Sequence, residues 1–242
     1  MKYPNADAIL WDEENGFYVA HFTWMSVPVN AWFSKEGEWI LSENEHSFMQ
    51  IHPNVPKAFY RSSYSEWDIE QIKMLERKGM DTIYVVSVTQ SNRLTHLYYS
   101  KYGDFIKASS NVNNTMYAPA SLPYEIRRTL SRLFDSPQII DFWEDDLAVN
   151  AAIREGNNYC LVVFTFSYEW LCTFRNIGQA DLKPSIWEKF QSSEYGVYTV
   201  TQLRTLQNES GLSYVFYFLD EDKRSYILFI KENGNFDCVV SY

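Results

Sequence analysis

Ile83-Tyr84-Val85-Val86-Ser87-Val88 reads as a β-strand, and 19 residues after Tyr84 stands Gly103 in Lys101-Tyr102-Gly103-Asp104-Phe105, a glycine-led turn that returns to an aromatic. Glycine tolerates positive φ, so this is a hairpin turn, and the intervening residues alternate as strands do. The same signature recurs. Tyr18 precedes Gly37 by 19 residues, Tyr159 precedes Gly178 by 19, and Tyr214 precedes Gly234 by 20. Lys35-Glu36-Gly37-Glu38-Trp39 and Glu232-Asn233-Gly234-Asn235-Phe236 share the turn chemistry, whereas Gln179-Ala180 follows Gly178 and predicts a weak or missing last strand there.

Helical apolar spacing separates the units at Val55 to Tyr64, Leu122 to Phe134 and Lys183 to Tyr195. A proline near each start suits the first helical turn, where its missing N–H costs nothing. Leu122, Ile126, Leu130, Leu133 and Phe134 form one stripe. Tyr3-Pro4 falls where a fourth helix would end, which predicts a trimmed chain or an incomplete first unit. The expected fold class is α+β, with tandem repeats of antiparallel β-sheet and helices packed on one face. The polar run from Ala108 to Thr115 suggests the division: 1–108, a linker at 109–120, and 121–242.

Side-chain alternation assigns the faces. Tyr18, Ala20 and Phe22 are matched with Tyr84, Val86 and Val88, with Tyr159, Leu161 and Val163, and with Tyr214, Phe216 and Phe218, as the face that seats the helices. In the first half the other face carries His21, Thr23, Ser87 and Thr89 and is expected to be solvated. In the second half it carries Val162, Phe164, Val215, Tyr217 and Leu219, with Leu171, Ile227 and Phe229 on partner strands, and is apolar. That face is either covered or a protein-binding surface. By the same alternation Cys160 and Cys172 point to opposite faces, which disfavours a disulfide between them.

The 242-residue chain is 46% hydrophobic and 17% aromatic, with a formal net charge of −10. It can bury one large or two modest cores without metal or disulfide support. The charge and the lack of a basic stripe exclude nucleic acid as an expected partner. No run approaches the length of a membrane-spanning helix, and no signal-type apolar region follows Met1-Lys2-Tyr3-Pro4. Three cysteines, Cys160, Cys172 and Cys238, form neither a disulfide framework nor a metal motif.

No hydrolase elbow, phosphate loop, dinucleotide fingerprint or zinc motif is present. His21, His46, His52 and His96 have no ligand-like spacing, so no catalytic residue, metal or cofactor is assigned. The acidic clusters Asp12-Glu13-Glu14, Glu144-Asp145-Asp146 and Asp220-Glu221-Asp222 lack calcium-loop spacing and suit solvated turns. The acceptor patterns at Asn113 and Asn208 are too short to carry weight.

Asn30-Ala31-Trp32-Phe33 to Gly37-Glu38-Trp39, Val55-Pro56-Lys57-Ala58-Phe59 to Ser65-Glu66-Trp67-Asp68-Ile69, and Ile83-Tyr84-Val85-Val86 to Leu97-Tyr98-Tyr99 and Gly103 resemble the PepSY-like, beta-lactamase-inhibitor-like family of Bacteroides-type bacteria. The resemblance covers 3–107, with a diverged second copy at 121–237. It implies a tandem α+β protein of the periplasm or cell surface, and it brings no catalytic residues with it. The expected function is a non-enzymatic extracytoplasmic binding module, with an inhibitory outcome among its uses, that engages an unknown protein or peptide. Phe164, Leu171, Tyr217 and Phe229 are its first-choice contacts, with Trp32 and Tyr98 second. A structural envelope component and an enzyme with a site formed only in three dimensions are the alternatives.

Overall fold

The computed structural model describes residues 2–14, 16–110, 122–222 and 224–241. The first half contains β1 (Asp7–Glu14), β2 (Phe17–Trp24), β3 (Val27–Phe33), β4 (Trp39–His46), α1 (Asn54–Phe59), β5 (Asp68–Arg77), β6 (Ile83–Gln90), β7 (Arg93–Ser100) and β8 (Phe105–Ser109). The second contains α2 (Tyr124–Leu133), β9 (Gln138–Glu144), β10 (Val149–Glu155), β11 (Asn158–Phe164), β12 (Trp170–Asn176), α3 (Pro184–Gln191), β13 (Thr199–Asn208), β14 (Gly211–Leu219), β15 (Ser225–Lys231) and β16 (Phe236–Ser241). Two eight-stranded sheets result, each running in chain order. Pairing is antiparallel throughout the first sheet and from β10 to β16 in the second. The protein is mainly sheet; its helices are short. The expected linker at 109–120 lies outside the described residues from 111 onward, as does Asn113, while Ser109 still belongs to β8.

Each repeat is a four-stranded meander, and the turn between its third and fourth strands has one geometry. Gly37, Gly103 and Gly234 donate their N–H groups to Ser34, Ser100 and Lys231 carbonyls at 2.9, 2.9 and 2.8 Å, with φ of +81°, +87° and +86°. In the third repeat this place is held by Tyr168, which donates to Thr165 at 2.9 Å with φ +68°. Gly178 is therefore not the third anchor: its φ is −86°, and it precedes a single 3-10 turn, Gln179–Asp181. The last strand of that repeat, β12, is complete and paired on both sides.

The described residues form two compact units: those up to 110 with Gln138–Asp141, and 122–137 with those from 142 onward. In the first unit, Val55 and Phe59 of α1 share a buried cluster with Ile72, Tyr84, Val86, Val88, Leu97 and Tyr99. On the same face Ala20, Phe22, Val29 and Ala31 form a second cluster, against which Tyr3 packs. Tyr3 meets Phe22 and Trp24 at ring distances of 5.0 and 5.4 Å. In the second unit Ile186 and Phe190 of α3 join Leu203, Tyr214, Phe216, Phe218, Leu228 and Ile230. Leu122, Ile126, Leu130 and Phe134 of the expected α2 stripe are buried, and Leu133 is exposed.

Helices α1 and α3 end earlier than apolar spacing implied, and by one device. Ser62 and Ser193 hydroxyls donate to the Phe59 and Phe190 carbonyls at 2.7 and 2.6 Å, then accept N–H from Tyr64 and Tyr195 at 3.2 Å each. A serine that satisfies a terminal carbonyl while turning the next residues competes directly with another helical turn.

Two face assignments change. Register pairs Val149, Ala151 and Ile153 with Phe164, Val162 and Cys160, and continues through Arg175 and Thr205 to Tyr214. Phe164 and Val162 thus lie on the α3 side, and Tyr159, Leu161 and Val163 on the other. Cys160 and Cys172 do face opposite ways, but exchanged relative to the expectation. In the first unit the face expected to be solvated is buried at its centre: Val19, Leu41, Leu75, Ile83 and Val85 accompany Ser87. The four polar residues that suggested water are a minority of that face. Ser87 is tolerated there because its Oγ meets His96 Nδ1 at 2.8 Å.

Candidate interaction surface

In the second unit, the face away from α3 holds Leu161, Val163, Phe174, Leu206, Tyr217, Ile227 and Phe229, all partly exposed, around a buried Val215. Strand period places them there together: Val215 pairs with Phe229 and Tyr217 with Ile227, so the two aromatics are diagonal neighbours. The Arg204 guanidinium carbon stands 5.2 Å from the Tyr217 ring centroid, covering one aromatic with cationic rather than apolar surface.

The six expected contacts separate. Tyr217 and Phe229 share this face. Leu171 is the extra residue of a bulge, since Val163 pairs with Cys172 and Phe164 with Trp170, and it is 45% exposed. Phe164 is 0% exposed on the opposite side, a correction that follows from taking Gly178 instead of Tyr168 as the repeat anchor. Tyr98, at 3% exposed, is also core, with Lys107 Nζ 4.7 Å from its ring centroid. Trp32 is partly buried in the first unit between Val19 and Leu41.

Polar chemistry in the first unit forms ladders rather than a reactive centre. His21 Nδ1 lies 2.8 Å from Asn30 Oδ1, Asn30 Nδ2 donates to Glu43 Oε1 at 3.0 Å, and Lys73 Nζ reaches both Glu43 oxygens at 3.1 Å. Ser87 and His96 have the elements of a nucleophile and base, yet both are buried, and burial followed by the charge of Lys73 lowers the His96 pKa. Burial also lowers that of His46. His52 accepts the Asn54 N–H at 3.3 Å. Burial pushes the Cys172 thiol up to about 11, so its nucleophilic form is scarce at neutral pH.

Sequence reasoning missed two arrangements. Asp141, buried within the first unit, receives Arg77 Nη1 on Oδ1 at 2.5 Å and has Lys107 Nζ 3.1 Å from Oδ2. Its partners are 64 and 34 residues away in the sequence, and no spacing rule links them. An open cleft of about 390 Å³ in the second unit is lined by Asn176, Gln179, Gln202 and Trp187 among others. Among the described residues no group of three potential ligands could hold a metal ion, and no helix is long and apolar enough to cross a membrane.

Residues 16–107 match the family described as "Putative beta-lactamase-inhibitor-like, PepSY-like". No curated protein sequence matches the chain. Among solved structures, a BLIP-like protein from Bacteroides fragilis is 30% identical, with 51% of this chain and 86% of that one covered and a TM-score of 0.44. A DUF2874 family protein from Bacteroides ovatus is 27% identical, over 48% and 85%, with a TM-score of 0.45. A protein of Bacteroides eggerthii described as periplasmic is 21% identical, over 48% and 86%, with a TM-score of 0.44. Two successive sheets of eight strands fit two tandem copies. Through residues 16–107, the chain belongs to the PepSY-like, beta-lactamase-inhibitor-like family.

Proposed function

We propose that the protein is a non-enzymatic extracytoplasmic binding module that engages a protein or peptide through the face of the second sheet away from α3. The observation that carries this reading is the partly open apolar ground around Tyr217 and Phe229, with Leu171 exposed at the bulge of β12. Aromatics that are half-covered and stiff lose little entropy on docking, which suits them as anchors. Trp32 of the first unit is a secondary contact. The division at 109–120 and the place outside the cytoplasm belong to the same proposal, the latter resting on the family's usual setting. The family's inhibitor name brings no residue of this chain with it, so inhibition would follow from binding rather than from a dedicated group.

The test is affinity capture from the native envelope with wild type and a Tyr217→Ser/Phe229→Ser variant, both checked by thermal melting. Selective loss of one co-purifying protein in the folded variant is the expected result. Recovery of the same set by both chains would remove this face from consideration.

A further inference from the structure

One edge strand of the first sheet is β1, whose eight residues are all exposed. Its first part is guarded: between Asp7, opposite Thr23, and Leu10, opposite His21, the register shifts, and Ala8 has φ +54°. A bulge of this kind disrupts pairing on the outer side. From Leu10 to Glu14 the register is regular, each residue facing one partner from His21 to Phe17. This five-residue stretch, Leu-Trp-Asp-Glu-Glu, has no proline, and its charges are all acidic, so they guard the edge against another acidic strand but not against a cationic one. Leu10 is 71% and Trp11 61% exposed, one on each face of the sheet.

We propose that the outer edge of β1 at Leu10–Glu14 accepts an extended basic segment of a partner protein as an added strand. Main-chain hydrogen bonds to the unpaired edge supply the register-independent part of the affinity, and alternate side chains supply the selection. Apolar residues of the segment lie beside Leu10 and Trp11. Lysine or arginine lies beside Asp12, Glu13 and Glu14, which alternate between the two sheet faces and leave no face of the incoming strand without an acidic neighbour. The net charge of −10 favours a cationic partner at long range and opposes a second copy of the same acidic edge. This surface is separate from the apolar face around Tyr217, and neither reading depends on the other.

The probes are three synthetic nine-residue peptides added to the full chain: valines flanked by a run of lysines, valines flanked by a run of glutamates, and the lysine peptide with a central proline. Hydrogen exchange and titration are read together. The lysine peptide is expected to slow exchange at Leu10–Glu14. The proline peptide, which lacks a central donor, is expected to bind about tenfold more weakly, the size of one or two lost hydrogen bonds. A folded Asp12→Lys/Glu14→Lys chain should lose about tenfold for the lysine peptide and gain for the glutamate peptide. Equal binding of the proline peptide would reduce the effect to charge alone and overturn the proposal. Protection mapped elsewhere would overturn it too, as would peptide-free protection of β1 that grows with protein concentration, which would identify a second copy as the occupant.

Discussion

The Tyr168 N–H donates to the Thr165 carbonyl at 2.9 Å while φ at Tyr168 is +68°, so a side chain that resists the left-handed region occupies a turn position held by glycine in the other three repeats. An L-residue in that region carries about 1–2 kcal/mol of steric cost. Tyr168→Gly is expected to stabilise the protein by about 0.5–1 kcal/mol, the partly buried ring offsetting some of the relief. Urea midpoints of the two chains check it; an unchanged or lowered midpoint would remove strain as the description of this turn.

Gly37 and Gly103 have nearly the same φ but different surroundings. A Cβ on Gly37 meets nothing within 4 Å, whereas one on Gly103 would stand 2.6 Å from the Asn54 carbonyl oxygen at the start of α1. Gly37→Ala should cost about 1 kcal/mol from backbone strain alone, and Gly103→Ala about 2 kcal/mol more because backbone must move. Equal losses in parallel denaturation curves would contradict the close approach.

Asp141 sets an acid limit. Burial pushes its carboxyl upward, but Arg77 and Lys107 outweigh burial and hold it below the ordinary value. A carboxyl depressed in the folded state stabilises fully above its unfolded pKa, about 3.9, and the contribution fades as pH falls through the lower folded value. Asp141→Asn should therefore cost about 3–5 kcal/mol at pH 7, leaving two cations without their partner, and should flatten the loss of stability below pH 4. Stability measured from pH 7 to pH 2 tests both parts.

Phe164 and Leu171 should respond in opposite ways. Phe164→Ala opens a cavity in a fully buried site and should cost about 3–5 kcal/mol. Leu171→Ala should stay within about 0.5 kcal/mol, because nearly half of that side chain is already in water. Thermal unfolding of both variants distinguishes a core residue from a surface one.

Four repeats and three intervening helices were legible because tyrosine-opened strands, glycine turns and helix prolines each constrain a local backbone. The third anchor was not, since it lacks glycine; yet Glu169-Trp170 repeats the Glu38-Trp39 that follows Gly37, and that acidic-aromatic pair is the better marker. Trp39 and Trp170 even donate Nε1 to the hydroxyls of Ser42 and Thr173, at 2.7 and 3.0 Å. Choosing the wrong glycine put Phe164 on the wrong face, because one misplaced strand reverses inside and outside for its neighbours. Tyr217 and Phe229 were read correctly onto one face, their repeat having kept its glycine. The Arg77, Lys107 and Asp141 cluster was beyond reach, for it depends on where distant strands meet rather than on any local pattern.

In both sheets the hydrogen-bonded neighbours are always consecutive strands of the chain. During synthesis, each new strand therefore meets a template already emerged, and assembly can advance as a zipper closes, tooth after tooth, without waiting for a distant segment. A chain interrupted between repeats would carry finished ladders up to its last strand, and growth or loss by whole four-strand modules would leave the earlier hydrogen bonds as they were.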